Sequence, residues 1–171
     1  MVQNIRRLKS DSYWYRYIYP KNLNLFQSEK LVAPEISLGG NFSYDKNGGF
    51  YSTTKIYGYI KKCTTKESYK FWLALLNSSL FWFFIKQTGY VLRGGYFTFK
   101  TNYIYPFPVP KNISISEVKF VEKMVDEIIG IRNSSLKDDI SKQEKAIDEV
   151  FYNIYDISKN ERRTIERDIF I

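Results

Sequence analysis

The chain lacks histidine altogether and contains one cysteine, Cys63, among its 171 residues. Without histidine, His-dependent catalytic triads, histidine proton shuttles and histidine-containing zinc or iron sites are excluded. A single cysteine can form neither an internal disulfide nor a structural zinc site. We therefore expect a cytoplasmic protein with no metal site and no cofactor of its own.

A long hydrophobic run is also absent. The longest apolar stretch, residues 71–85, spans 15 residues and is interrupted by Asn77, Ser78 and Ser79. A membrane-spanning helix needs about 20 mostly apolar residues. No apolar segment follows the basic N-terminus, so the sequence shows no signal peptide. We expect neither a membrane segment nor a membrane partner.

Acidic residues are scarce in the first 110 residues, which hold 5 Asp or Glu against 15 Lys or Arg and carry 26 of the 31 aromatic residues. Residues 111–171 hold 13 acidic and 11 basic residues. The formal charge of +8 therefore comes from the first part, and it favours an acidic partner such as nucleic acid. Three prolines at positions 106, 108 and 110 interrupt regular structure. We place a boundary there, between a basic, aromatic-rich region (1–110) and a helical region (111–171).

The basic region contains short strand patterns separated by glycine turns. The segment from Asp45 to Gly49 (DKNGG) is typical of a hairpin turn between two strands. By contrast, residues 68–87 are apolar nearly all round, which predicts one buried helix, preceded by a capping-box spacing from Thr64 to Glu67. Strands are predicted over residues 31–36, 42–45, 50–62 and 96–100. We assign Leu73, Leu76, Leu80, Phe83 and Phe84 to the core.

The C-terminal region shows helical periodicity. A first apolar stripe runs from Ile115 to Ile129 after a capping box at Ser114 and Glu117. A break is predicted over residues 130–135, followed by a second helix over 140–154 and a third from Ser158 to about Asp168. The expected fold class is α+β: a twisted, mainly antiparallel sheet, a buried central helix and a C-terminal helical hairpin.

No catalytic motif is visible. The glycine-rich loop and Asn/Asp-Pro-Pro-aromatic motif of an amine methyltransferase are missing, and so are phosphate-binding loops. The few carboxylates of the basic region do not form the cluster that a magnesium-dependent nuclease needs. We expect no catalysis by this chain alone. A degenerate nuclease remains an alternative, with Glu35 and Asp45 as its first candidate ligands.

A binding role has more support. Residues 55–62 (KIYGYIKK) alternate basic or aromatic residues with apolar ones. On a strand, this pattern places Lys55, Tyr57, Tyr59 and Lys61 on one face, able to meet phosphates and base edges. An ordinary edge strand with solubilising lysines would show the same pattern.

Several segments in fixed order resemble a known family. They are EKLVAPEI (29–36), GFYSTT (49–54), YKFWLALLNSSLFWF (69–83), LRGGYFTFK (92–100), YIYPFPVP (103–110) and AIDEVFYNIY (146–155). Over roughly residues 12–157, the chain resembles the TaqI-like C-terminal specificity domain of type IIG restriction–modification enzymes and related adenine-specific DNA methyltransferases.

The resemblance implies a target recognition domain, which reads double-stranded DNA for a methyltransferase domain of the same protein. That domain, and sometimes a nuclease, precedes the module in complete members, so the chain looks like a fragment of a larger enzyme. S-adenosylmethionine and magnesium would belong to those domains. The helical region would brace and dock the module. The rival interpretation is a protein-interaction module without DNA affinity.

Arg93 lies beside Gly94 and Gly95, where a close approach to the duplex is possible. Its alternative role is to tie the apolar helix to the sheet. The candidate DNA contacts are Asn41, Lys46, Lys55, Tyr57, Lys61, Lys62, Arg93, Lys100 and Asn102.

Overall fold

The computed structural model describes residues 22–52, 55–110 and 112–169 and shows an α+β fold, which confirms the expected class. After a 3-10 helix at Leu23–Leu25, the strands and α-helices in chain order are β1 (Lys30–Pro34), β2 (Ile36–Ser37), β3 (Ser43–Asp45), β4 (Ile56–Tyr59), α1 (Tyr69–Asn77), α2 (Ser79–Thr88), β5 (Phe97–Thr98), α3 (Thr101–Ile104), α4 (Ile115–Ser134), α5 (Ser141–Ile154) and α6 (Lys159–Ile169). No helix among these is long and apolar enough to cross a membrane.

Two small antiparallel sheets meet at Glu35. In the first sheet, the strand order is β3-β1-β4, and in the second β2 pairs with β5. The Glu35 N–H donates to the Lys55 carbonyl at 2.9 Å, and the Glu35 carbonyl accepts from the Phe99 N–H at 2.7 Å. Both backbone groups of Glu35 are therefore bonded, one to each neighbouring segment, and this fixes the residue where the two sheets join.

The predicted hairpin after Asp45 is wrong. β3 and β4 do not pair with each other but flank β1 on its two sides. β1 takes the central place because Leu31, Val32 and Ala33 are all buried, as expected for a strand with neighbours on both edges. The loop after β3 closes instead on the Asp45 carboxylate, which accepts from the N–H groups of Gly49 (3.0 Å) and Phe50 (2.8 Å). Within the described residues, the strand predicted over 50–62 is limited to β4.

The single helix predicted over residues 68–87 is also wrong, because Ser78 divides it into α1 and α2. Ser78 has an extended backbone (φ −68°, ψ 155°). Its Oγ accepts from the Phe81 N–H at 3.2 Å and donates to the Leu75 carbonyl at 2.7 Å. One buried hydroxyl thus ends one helix and begins the next. The first helix is capped by Ser68, not by Thr64.

One hydrophobic core unites both parts of the chain. Its buried side chains include Phe71 of α1 and Phe81 of α2, together with Val121 of α4 and Phe151 of α5. The rings of Phe71 and Phe151 meet edge to face, with centroids 5.5 Å apart. Of the five predicted core residues, Leu80 is buried, and the other four are half-buried at the margin of the core. The boundary at residue 110 stays a prediction.

The C-terminal helices largely follow their sequence pattern. Ser114 and Glu117 form the predicted capping box, and Ser158 and Glu161 bond in the same way before α6. The predicted break at Gly130 is wrong, because α4 continues to Ser134. The turn follows later, where Arg132 donates to the carbonyls of Leu136 (2.6 Å) and Asp138 (2.7 Å).

Candidate nucleic-acid interface

Two lysines flank the carboxylate of Glu35 at the junction of the sheets. Lys55 Nζ lies 3.6 Å from Glu35 Oε2, and Lys100 Nζ lies 3.6 Å from Glu35 Oε1. The Glu35 side chain is 14% exposed, whereas those of Lys55 and Lys100 are 75% and 54% exposed. The carboxylate is thus recessed behind two ammonium groups that reach solvent, and the three side chains together carry a net charge of +1.

Arg93 lies at the tip of a short β-hairpin formed by residues 90–97. Val91 bridges Phe97, the Leu92 N–H donates to the Tyr96 carbonyl at 2.6 Å, and the Gly95 N–H donates to the Leu92 carbonyl at 3.2 Å. Gly94 and Gly95 adopt φ of +85° and +79°, which side-chain-bearing residues avoid. The glycines therefore allow a tight reversal that presents Arg93 to solvent.

Within the part of the chain that the structure describes, Arg93 makes no hydrogen bond or ion pair, and so no such bond from it ties the apolar helices to the sheet there. None of the described residues occupies its guanidinium donors, and a guanidinium suits phosphate oxygens or a guanine edge.

A groove of about 460 Å³ runs beside this hairpin. Its lining includes Tyr90 and Leu92 of the hairpin, Glu35 and Thr98, and the residues Lys100, Asn102 and Tyr103 of the following segment. We call this feature the Glu35 groove. Four of the nine candidate contacts lie in it or next to it: Lys55, Arg93, Lys100 and Asn102.

The structure turns one residue of the face predicted over residues 55–61, Tyr59, towards the core. The register places Tyr59 opposite Leu31 and Tyr57 opposite Ala33, and directly opposed residues point to the same side of a sheet. Leu31 and Ala33 belong to the core, Tyr59 packs against it and Tyr57 is half-buried, so DNA contacts by the other residues of this face stay a prediction. Burial raises the pKa of the Tyr59 hydroxyl, which donates to the Phe99 carbonyl at 3.3 Å.

Lys61 is engaged by the fold. Its ammonium donates to the Glu67 carbonyl at 2.5 Å and lies 5.1 Å from the centroid of the Tyr69 ring. Lys62, the next residue, is exposed. Neither lysine lines the Glu35 groove.

Asn41 and Lys46 also lie away from the groove. Asn41 adopts a left-handed backbone (φ +52°), and its Nδ2 donates to Ser37 Oγ and, at 3.0 Å, to the Leu38 carbonyl. Its side chain thereby shapes the connection from β2 to β3. Lys46 is exposed in the loop that follows β3.

The two carboxylates of the nuclease alternative serve different parts of the fold. Asp45 pairs with the buried Lys30 ammonium at 2.5 Å, and this hydrogen bond holds the pKa of Asp45 below its usual value. Glu35 is held between Lys55 and Lys100. Among the described residues, no three Asp, Glu or Cys side chains are grouped so that they could hold a metal ion.

Comparison with known protein families matches residues 3–109 to the TaqI-like C-terminal specificity domain. The chain belongs to this family. The match contains all five strands, the Arg93 hairpin and the Glu35 groove, and it ends before the segment 146–155 that the resemblance also included. A search of curated proteins finds no significant match. A specificity domain is a non-catalytic module with a DNA target-recognition role in restriction–modification systems.

Sequence reasoning did not place Glu35 and Thr98 in the groove of this specificity domain. Glu35 was predicted only as a nuclease ligand, although an acidic residue between the apolar segments 31–34 and 36–38 is a signal for a strand junction. Thr98 lies between two aromatic residues, Phe97 and Phe99, on a strand pattern, which marks it as the residue facing away from the core.

Proposed function

We propose that this specificity domain reads a short double-stranded DNA sequence for an adenine methyltransferase of a bacterial restriction–modification system. The observation that carries the proposal is the placement of Lys55, Lys100 and Asn102 at the Glu35 groove, with Arg93 on the hairpin that lines it, all within the family-matched residues. These residue types supply the contacts that protein–DNA interfaces use, because cations bind phosphates while Arg, Lys and Asn also bind base edges.

The Arg93 hairpin has a shape that suits the major groove. A major groove about 12 Å wide admits a two-stranded β-ribbon, and residues 90–97 form such a ribbon. With its tip inserted, Arg93 would reach the O6 and N7 atoms of a guanine. Lys55 and Lys100, at the base of the hairpin, would then meet the phosphates or the neighbouring base pair.

The catalytic partner would be the methyltransferase domain of a type IIG or related enzyme. That domain would bind S-adenosylmethionine, and a nuclease domain, where one is present, would bind magnesium. Helices α4–α6 share the core of the recognition region through Val121, Phe151 and Ile165, so they would hold that region rigidly beside the partner. Residues 111–171 hold more acidic than basic residues, 13 against 11, which fits this bracing role better than a DNA contact.

The test is fluorescence anisotropy of a random-sequence duplex pool titrated with the full chain at two salt concentrations. Affinity should fall as salt rises from about 50 to 200 mM, by about 3.5-fold for each phosphate that a lysine or arginine neutralises. Lys55→Glu and Arg93→Glu should each weaken binding, and the salt slope falls by about 1 only where the lost cation contacted a phosphate and not a base.

The matched controls are Lys142→Glu on α5 and Arg163→Glu on α6. Both residues are exposed, and both lie outside the family-matched part. Each control makes the same charge change as its partner variant and should leave the affinity almost unchanged. Absence of binding at about 50 mM salt would reject the proposal in favour of a protein-interaction module. An equal loss in controls and test variants would mean that only net charge matters.

A further inference from the structure

The three charged side chains at the sheet junction form a recognition array. In order across the surface they are the Lys55 ammonium, the Glu35 carboxylate and the Lys100 ammonium, with 3.6 Å between each ammonium and the nearer carboxylate oxygen. A lysine ammonium only donates hydrogen bonds and an ionised carboxylate only accepts them. The array therefore presents a donor, an acceptor and a second donor.

Only one kind of base-pair edge in the major groove complements that order. An A·T pair presents the thymine O4 acceptor, the adenine N6 donor and the adenine N7 acceptor. A C·G pair presents the cytosine N4 donor beside two guanine acceptors, O6 and N7. A carboxylate placed centrally thus meets a donor in the A·T pair and an acceptor, which it repels, in the C·G pair.

The surroundings of Glu35 suit recognition of a base edge. Its backbone N–H and carbonyl are both fixed, to Lys55 and Phe99, so its side chain starts from a rigid position. A recessed carboxylate in a DNA-facing surface loses hydration and is repelled by the phosphates, both of which weaken binding. An amino group on a base offsets this loss by donating a hydrogen bond to the carboxylate. The ammonium groups of Lys55 and Lys100 extend from flexible stems and can follow the two flanking acceptors.

Thr98 adds a second polar group inside the same groove. The neighbouring Phe97 and Phe99 pack on the Trp82 ring, with centroids 5.3 and 6.2 Å away, so Thr98 points to the opposite side, into the Glu35 groove. Thr98 is 6% exposed, and its Oγ1 has no hydrogen-bond partner among the residues described. A buried hydroxyl without a partner costs free energy, and a polar ligand in the groove could supply the missing hydrogen bond.

We propose that Glu35 is a specificity-determining residue, which accepts a hydrogen bond from the N6 amino group of an adenine in the recognised sequence while Lys55 and Lys100 bind the acceptors on either side. This inference rests on the proposed function, because it requires the groove to face DNA. It goes beyond that function by naming the base pair and the residue that reads it.

The experiment is selection of bound sequences from a random duplex pool by the full chain and by two variants, Glu35→Gln and Glu35→Met. Both variants lose the ion pairs with the lysines. Only glutamine keeps an acceptor for adenine N6 and adds a donor for N7. The wild type and Glu35→Gln should therefore share an A·T preference of at least about fivefold at one position, and Glu35→Met should lose it.

A substituted base gives a direct readout. At the position that depends on Glu35, 2-aminopurine still pairs with thymine but lacks the N6 amino group. This replacement should weaken wild-type binding at least about fivefold and leave Glu35→Met unaffected. Thermal unfolding of each variant confirms that the chain remains folded.

The other outcomes overturn the inference in distinguishable ways. If both variants lose the preference together, Glu35 acts only by positioning the lysines. If all three proteins select the same motif, or the affected position is a C·G pair, Glu35 does not read adenine and the proposed function still stands. Absence of binding or of any enriched motif rejects the sequence-specific function as well.

Discussion

Lys30 and Asp45 form an ion pair inside the specificity domain, with Lys30 Nζ 2.5 Å from Asp45 Oδ2. The lysine also donates to the Phe26 carbonyl at 2.5 Å. The same carboxylate accepts from the Gly49 and Phe50 N–H groups. One buried charge pair therefore joins the first residue of β1 to the loop that carries Lys46.

Breaking this pair should be costly. Asp45→Asn leaves the Lys30 ammonium buried without its counter-charge, and we expect a loss of about 3 kcal/mol in the free energy of unfolding. Urea denaturation at neutral pH measures it. The matched control is Asp126→Asn, which breaks the more exposed pair with Lys70 and should cost at most about 1 kcal/mol. Equal losses in the two variants would contradict the buried character of the first pair.

Gly48 and Gly49 differ sharply in what they tolerate. A Cβ on Gly48 would lie 2.0 Å from the Gln27 carbonyl oxygen, and Gly48 has φ of +64°, whereas a Cβ on Gly49 meets no atom within 4 Å. Gly48→Ala should therefore destabilise the fold by more than about 2 kcal/mol through strain and backbone collision. Gly49→Ala should change stability by less than about 1 kcal/mol. Thermal unfolding of the two variants compares them directly, and similar melting temperatures would refute the loop geometry.

The Ser78 hydroxyl should stabilise the break between α1 and α2. Ser78→Ala removes the cap on the Phe81 N–H and the bond to the Leu75 carbonyl, at a cost of about 1–2 kcal/mol. Ser134→Ala is the control, because that hydroxyl is exposed at the end of α4. Urea midpoints measure both variants. A Ser78→Ala protein as stable as wild type would mean that the break does not depend on the cap.

We expect substitution of Lys61 to change the stability of the fold and substitution of Lys62 to change DNA binding. Lys61→Met loses the bond to the Glu67 carbonyl and the contact with the Tyr69 ring, which predicts a loss of about 1 kcal/mol of stability. Lys62→Ala should leave stability unchanged and reduce the salt slope of DNA binding by about 0.9 if Lys62 contacts a phosphate. Urea denaturation and anisotropy titrations on both variants provide the two readouts. The reverse pattern would place Lys61, and not Lys62, at the DNA.

Asp148 should give stability an unusual dependence on pH. Burial raises the pKa of its carboxyl above the ordinary 3.8, with smaller contributions from the Glu144 and Glu166 carboxylates, although Ser79 donates to it through its N–H and hydroxyl. Because the folded state binds the proton more tightly, this group makes stability fall as pH rises from 3.8 through the raised value.

The variant that tests this effect is Asp148→Asn, which cannot ionise. When the free energy of unfolding is measured from pH 3 to 7, the fall in stability caused by Asp148 should be absent in this variant. The control Asp138→Asn, at an exposed site, should keep the wild-type pH profile. Parallel profiles for wild type and Asp148→Asn would show that the buried carboxyl does not contribute. The Asp45 carboxyl acts in the opposite direction, because its lowered pKa adds stability that is lost as pH falls.

Local patterns predicted several elements correctly, although the capping-box spacing from Thr64 to Glu67 was wrong because Ser68 caps the helix. The capping boxes at Ser114 and Ser158 depend on residues three positions apart, and both formed as expected. The break at Gly130 failed because a glycine lowers helix propensity by only about 1 kcal/mol. Packing of α4 against the other helices overrides a penalty of that size.

The strand predictions that were wrong concern strands whose pairing partners lie far away in the chain. Residues 42–45 and 50–62 looked like one hairpin because a favourable turn lies between them, yet both strands pair with β1. The face of β4 that carries Tyr57 and Tyr59 looked ready for DNA because alternation alone does not say which face is buried. Leu31, which pairs with Tyr59 across the sheet, belongs to the core, and therefore this face of β4 turns to the core at Tyr59.

The sequence by itself determined the basic character of residues 1–110, the fold class, the family resemblance and the nature of the C-terminal helices. These properties follow from charge, composition and short-range periodicity. Only the tertiary structure decided that Lys55 and Lys100, 45 positions apart, flank the carboxylate of Glu35. Strand pairing brings them together, and that pairing depends on which apolar faces can be buried at once across the whole chain.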